Sequence, residues 1–255
     1  MTARHTHLVF DTALGGTKPI TLFDNGLSCP FCCRDQLTGI IAEDGPIILL
    51  NNKYPVLEDT CQTVLIETDD CNSELSLYPR DHLHKVIRFG IGKWQEMIAG
   101  GEFASVLFFK NHGPYSGGTI RHPHMQIVGL KSVDYTANIP PACLEGRLIS
   151  RRHGVELTIA DKPLIGFVEF NVRLDSGGHI DTLADYLQAV AHYVLNHYNK
   201  RCNSYNIFFY QLGGQIIAKL LPRFVTSPLY VGYAIPQISS RLDEIAEEVR
   251  RIYNL

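Results

Sequence analysis

The sequence predicts an α+β chain of two similar halves with mostly antiparallel strands, and three observations predict it. Ser105-Val-Leu-Phe-Phe-Lys-Asn111 and Tyr205-Asn-Ile-Phe-Phe-Tyr-Gln211 look alike, and each follows a helix-like stretch and precedes a glycine-containing connection and another strand-like run. Gly213-Gly214, between two strand-like runs, supplies the corner of a hairpin. Apolar residues also recur at helical spacing between the strands, which makes the pattern mixed rather than all-β.

Taken in order, residues 62–68 read as a strand and 81–99 as a helix with an irregular apolar stripe. Trp94, the only tryptophan, falls in that helix and is assigned to the core. Residues 131–162 contain Pro140-Pro141 and no clear periodicity, so the inter-domain connection is expected there. In the second half 167–172 is strand-like, and Ile180, Leu183, Leu187, Val190, Val194 and Leu195 mark one helix face. Residues 215–221 return along the preceding strand. Ser240-Arg-Leu-Asp243 resembles a capping box opening a last helix, with Leu242, Ile245, Ala246, Val249 and Ile252 on one face. The expected domains are 1–135 and 136–255.

At 255 residues, 45% hydrophobic and 19% charged, the chain has the composition of an ordinary globular protein. A net charge of −3 gives no bulk attraction for nucleic acid or an anionic membrane, so an anionic ligand must be held by local groups. No apolar run approaches the ~20 residues that span a bilayer, and the start of the chain lacks the apolar core of a secretory signal. A cytoplasmic protein is expected, with no nucleic-acid or membrane partner. Seven cysteines are then thiols or metal ligands rather than a disulfide framework.

Three motifs carry chemistry. Cys29-Pro-Phe-Cys32 has the spacing that lets two sulfurs of one turn reach a zinc ion, and it also suits a redox dithiol or a pair of buried thiols. Asn111-His-Gly-Pro-Tyr-Ser-Gly-Gly-Thr119 is a glycine-rich turn whose backbone N–H groups can surround an anion, with Asn111, Ser116 and Thr119 adding side-chain donors. His122-Pro-His-Met-Gln126, if extended, sends His122, His124 and Gln126 from one face. A neutral imidazole with its second nitrogen held by an acceptor is a competent nucleophile toward phosphorus.

In order and spacing, Cys29-Pro-Phe-Cys32, Asn52-Lys-Tyr-Pro-Val-Leu57, the turn from Asn111 to Thr119 and His122-Pro-His-Met-Gln126 resemble galactose-1-phosphate uridylyltransferase and its relatives in the histidine-triad (HIT) superfamily. Residues 218–233 look like that family's second-domain ending, so the likeness runs from Asn25 to Leu255. The resemblance implies two tandem HIT-like domains, mostly antiparallel sheets flanked by helices, with the first domain catalytic. It implies a nucleotidyltransferase that takes a nucleoside monophosphate from a nucleotide sugar onto His124 and passes it to a phosphorylated acceptor. Gln126 then holds the phosphoryl oxygens, Asn111, Ser116, Gly117 and Thr119 line the phosphate site, and Asn52 lines the nucleotide pocket. A structural Zn2+ is implied on Cys29, Cys32 and His122. The fourth ligand is expected to be Cys71, in the Asp69-Asp70-Cys71 turn, with Cys33, Cys61 and His112 as rivals. The family is often dimeric, which makes a homodimer the expectation by analogy.

Two departures bear on substrate. Ala234 stands where the galactose enzymes carry a sugar-gripping glutamate, and Ile217 and Lys219 replace a second-domain histidine pair that holds a metal in some relatives. Loss of the carboxylate removes an acceptor that a buried sugar hydroxyl needs. Galactose 1-phosphate is therefore not the expected acceptor, and the rival readings are a hydrolase or phosphorylase of a dinucleotide or nucleotide sugar and a non-catalytic nucleotide-binding module.

Overall fold

A computed structural model describes residues 7–22 and 29–255. Asn25, where the resemblance begins, and residues 1–6 of the segment read for a secretory signal lie outside the described residues. The strands are β1 (Ile40–Asp44), β2 (Ile47–Asn51), β3 (Thr60–Ile66), β4 (Ser105–His112), β5 (His124–Leu130), β6 (Gly146–Arg152), β7 (Val155–Ala160), β8 (Gly166–Phe167), β9 (Phe170–Leu174), β10 (Tyr205–Leu212), β11 (Gln215–Pro222) and β12 (Gln237–Ile238). Ten of them form one antiparallel sheet in the order β1-β2-β3-β5-β4-β10-β11-β9-β7-β6, while β12 and β8 make a small parallel pair. The helices are α1 (Thr12–Gly15), α2 (Arg80–Ala99), α3 (Ile180–Tyr193), α4 (Pro228–Tyr233) and α5 (Leu242–Tyr253).

Read outward from the β4–β10 seam, both halves repeat one order, so the duplicated, mostly antiparallel α+β architecture is present. Alternation along β4 buries Val106, Phe108 and Lys110 on one face and leaves Ser105, Leu107, Phe109 and Asn111 half-buried on the other. The first face carries the main core, where Leu65, Phe108, Met125, Ile127, Phe170, Val172, Phe209 and Leu220 pack with apolar stripes of α2, α3 and α5. On α2 the stripe is Leu83, Val86, Ile87, Gly90, Ile91 and Trp94, and the Trp94 indole donates to the Val106 carbonyl at 2.9 Å.

Several expectations need correction. The look-alike segments pair Phe108 with Phe209 and Phe109 with Phe208, and both Phe108 and Phe209 lie in the main core, their rings stacked at 4.3 Å. A residue-for-residue offset of the two motifs thus sets aligned side chains on opposite faces, because strand periodicity is two. The supposed connection 131–162 contains the β6–β7 hairpin; its Val155, Leu157 and Ile159 are fully buried against β9, and short turns hid the alternation. The strand expected over 167–172 breaks into β8 and β9. Glu169 stands in the break, fully buried, and its carboxylate accepts the backbone N–H groups of Leu164 and Ile165 at 2.8 Å each. The final helix begins at Leu242 with Arg241 as N-cap and no side-chain cap bond, so Ser240 opens no capping box; the Arg241 N–H donates instead to Ser239 Oγ at 3.2 Å.

Candidate active site

The site lies on the sheet face opposite the helices, in the first half. β5 starts at His124, and the preceding Pro123 carries the chain toward the turn of Cys29-Pro-Phe-Cys32. Cys29, Cys32, Cys71 and His122 each offer one ligand atom, and those four atoms all lie within 4.8 Å of one another. The His122 Nε2–H donates to the Thr68 carbonyl at 2.8 Å. A carbonyl only accepts, so the proton is fixed on Nε2 and the Nδ1 lone pair faces Cys32 Sγ at 3.5 Å and Cys29 Sγ at 3.6 Å. Three thiols cannot ionise together unaided. Burial works against the Cys29 thiolate, yet its contact with His122 and hydrogen bonds from the chain around Phe31 bring its pKa to about 6; burial and the Cys29 charge push Cys71 up to about 12. Three sulfurs and one imidazole nitrogen match a closed tetrahedral metal site, and these residues could hold a metal ion. Cys33, Cys61 and His112 stand outside the cluster.

His124 is 8% exposed and lines a cavity rather than the sulfur cluster. Its Nδ1–H donates to the His122 carbonyl at 2.8 Å, which leaves the lone pair on Nε2. Burial, with the nearby Lys110 charge, pushes its pKa down to about 4, so the imidazole is neutral at physiological pH. Phe31 meets both histidine rings edge-on, 5.9 Å from His122 and 5.5 Å from His124 by centroids. Both imidazoles therefore sit on one side of the sheet, with the ring of the cysteine turn between them.

A cavity of about 420 Å³ opens in front of His124 and Gln126, and Asn52, Gly117 and Thr119 also line it. Its apolar part is built from Leu50, Val64, Phe31 and Leu37. Asn52 is held by its backbone bond to Gln62 and by accepting the Tyr54 N–H at 2.9 Å. Asn111 and Ser116 line a neighbouring cavity of about 190 Å³, which shares Gly118 and Ile120 with the first. The Ser116 hydroxyl donates to the Gly113 carbonyl at 2.7 Å and closes the turn.

Sequence reasoning missed several residues of this region. Lys18 reaches the larger cavity from a strap whose Thr21 and Leu22 N–H groups both bond the Thr119 carbonyl, and burial holds its ammonium below the usual lysine range. Lys53 and Tyr54 line the same cavity beside Asn52. Asn206, buried on β10, bonds Asn111, and the buried pair Lys110–Glu67 lies beneath the turn. None of these sits in a recognisable motif; only the Asn52-Lys-Tyr block gave a signal.

A model of the Domain of unknown function (DUF4931) N-terminal domain matches residues 10–133, and one of its C-terminal domain matches 136–254. The chain belongs to the DUF4931 family. A solved DUF4931 family protein from Bacillus cereus is 45% identical, with 85% of this chain and all (100%) of that one covered and a TM-score of 0.78. A uridylyltransferase structure shares 16% identity over 89% of this chain and 91% of its own, with a TM-score of 0.71. An ADP-glucose phosphorylase from Arabidopsis thaliana with bound ADP-glucose shares 15% over 88% and 89%, with a TM-score of 0.70. This DUF4931 chain thus shares its fold with these uridylyltransferase and ADP-glucose phosphorylase structures. A stretch of 53 residues, 21% of the chain, is 43% identical to a Di-/tripeptide transporter of Lactobacillus helveticus, and the chain spans 11% of that protein. Among the described residues no helix is long and apolar enough to cross a membrane.

Proposed function

We propose that this protein is a nucleotidyltransferase that moves a nucleoside monophosphate from a nucleotide sugar to a phosphorylated acceptor through a nucleotidyl-His124 intermediate. The observation that carries this reading is the tautomer of His124: Nδ1–H is committed to the His122 carbonyl, so the Nε2 lone pair is the nucleophile beside the Gln126 cavity. In the first step Nε2 attacks the α-phosphorus, a P–N bond forms, and the P–O bond to the leaving phosphate breaks with its electron pair on oxygen. In the second, an acceptor phosphate oxygen attacks, the P–N bond breaks, and His124 returns to neutral. Gln126 donates to the non-bridging oxygens, and the N–H groups of the turn with Thr119 and Asn111 stabilise the charge that builds there. Asn52 holds the nucleoside end.

Cys29, Cys32, Cys71 and His122 would hold zinc in this reading. A closed four-ligand zinc would supply structure only, and the residues holding it would fix the Cys29–Cys32 turn and with it Phe31 against the His124 ring.

Ala234 favours a second acceptor class. It is exposed at the C-cap of α4 with φ +53 and offers no carboxylate to a sugar hydroxyl. Orthophosphate or water at the second step would make the protein a phosphorylase or hydrolase with the same nucleophile, and without chemistry the fold remains a nucleotide-binding module. Incubation with uridine and adenine nucleotide sugars and dinucleotides, read by intact mass and by product release with and without acceptor, separates these. A nucleotidyl adduct with acceptor-dependent release supports transfer, release from donor alone indicates hydrolysis, and no adduct with turnover unchanged in His124→Ala contradicts the proposal.

A further inference from the structure

The glycine-rich turn of the first domain is gripped by the second. Gly113 has φ +81, and a Cβ there would lie 2.1 Å from the Asn203 carbonyl oxygen and 2.5 Å from Ser204 Oγ, so only glycine fits. The Tyr115 N–H donates to Ser204 Oγ at 3.1 Å. Asn206, 1% exposed, faces Asn111 across the β4–β10 ladder. Its Nδ2 donates to Asn111 Oδ1 at 2.6 Å and to the Ser116 carbonyl at 3.0 Å, while its Oδ1 accepts from Arg223 Nη1 at 2.6 Å.

The order of donors gives this chain of contacts a direction. A guanidinium can only donate, so it fixes Asn206 Oδ1 as the acceptor and turns Asn206 Nδ2 toward the turn. Asn206 Nδ2 can only donate in turn, which fixes Oδ1 of Asn111 against β10. The free end of Asn111 is then its Nδ2, the end that an anion needs. A carboxamide without such an anchor would present oxygen as readily as nitrogen.

We propose that Arg223 and Asn206 of the second domain are positioning residues that lock the Asn111 carboxamide and the glycine-rich turn with their donors toward the phosphoryl group. This inference rests on the proposed phosphoryl chemistry. It assigns the second domain a part in the reaction.

The test is a single-turnover measurement of nucleotidyl-His124 formation against donor concentration, in full-length protein with unchanged zinc content and thermal midpoint. Asn206→Asp keeps shape and the Arg223 contact but withdraws the donor from Asn111. It should lower the maximal rate about 30-fold and change the half-saturating donor concentration by less than about threefold. In an Asn111→Ala background the same change should cost less than about threefold, because the group it acts through is gone. Arg223→Met, on a half-exposed side chain, should lower the rate about tenfold and serves if the first variant fails to fold. Rates within about twofold of wild type, or losses that multiply in the double variant, would overturn the proposal.

A wild-type chain that forms no adduct with any donor refutes the proposed function instead. Amide hydrogen exchange then decides this inference separately. Exchange at 115–118 faster by about tenfold in Asn206→Asp, with the β10–β11 amides unchanged, supports it, and unchanged exchange at 115–118 overturns it.

Discussion

The two halves of the sheet share one strand order about the β4–β10 seam but treat the face away from the helices in opposite ways. In the first half that face carries His124 and Gln126 on β5 and opens into a cavity of about 420 Å³. In the second half Tyr135, Ile139, Cys143 and Leu144 close over Tyr210 and Ile217 on β10 and β11. Lys219 is fully buried beneath them, and its ammonium donates to the Cys143 carbonyl at 2.6 Å, Asn171 Oδ1 at 3.0 Å and Glu169 Oε2 at 2.8 Å. Every hydrogen of that ammonium has an acceptor, whereas the imidazole of His124 keeps one lone pair unmatched and pointed at space a ligand can fill. One architecture therefore yields a reacting module or a supporting one, according to what the connections lay over the sheet and whether the polar groups beneath are fully paired.

The sharpest break between the halves is expected at His124. His124→Ala should lower turnover by about 10³-fold or more, with thermal stability held near wild type, as measured by steady-state rates and a melting curve. Next is the metal. Chelation, or Cys71→Ser, should release the ion and destabilise the first half by several kcal/mol, on the order seen when a structural zinc site is lost, while Cys33→Ser and Cys61→Ser keep full metal content. Elemental analysis checks the content, and hydrogen exchange should show loss of protection in β2, β3 and β5 before β9 and β11.

Lys219→Met carries the comparison into the supporting half. Removing one partner of a buried pair leaves Glu169 uncompensated and costs about 3 kcal/mol in denaturant unfolding, toward the low end because two backbone N–H groups still serve the carboxylate at 2.8 Å. Turnover of the folded fraction should stay within about twofold, since Lys219 touches nothing in the cavity. The last effect is expected at Gln126→Ala, about 10²-fold in the rate of adduct formation, the low end for loss of one donor to a transition-state oxygen.

Much of this contrast was legible in the residues. The order of Cys29-Pro-Phe-Cys32, the glycine-rich turn and His122-Pro-His-Met-Gln126 pointed to the fold and to the neighbourhood of His124, because each motif holds its geometry locally. Cys71 could be set against its rivals only through the turn it occupies. The β6–β7 hairpin was hidden because its strands are joined by the short His153-Gly154 turn and follow a Pro140-Pro141 pair that reads as a linker, and the likeness of the two Phe-Phe segments does not report which face a side chain takes. Asn206 and Arg223 lie in stretches the sequence singled out only for their strand pattern and family likeness, with no sign of a part in the site. Their meaning comes from a ladder partner some 95 residues away, a relation that exists only once β4 and β10 pair.

Peptide-level mass spectrometry of the protein quenched at alkaline pH after mixing with a nucleotide sugar tests the central claim most directly. The account predicts a nucleoside monophosphate on the peptide containing His124, localised to that imidazole and absent in His124→Ala. The same group on another residue, or its persistence in His124→Ala, would contradict it.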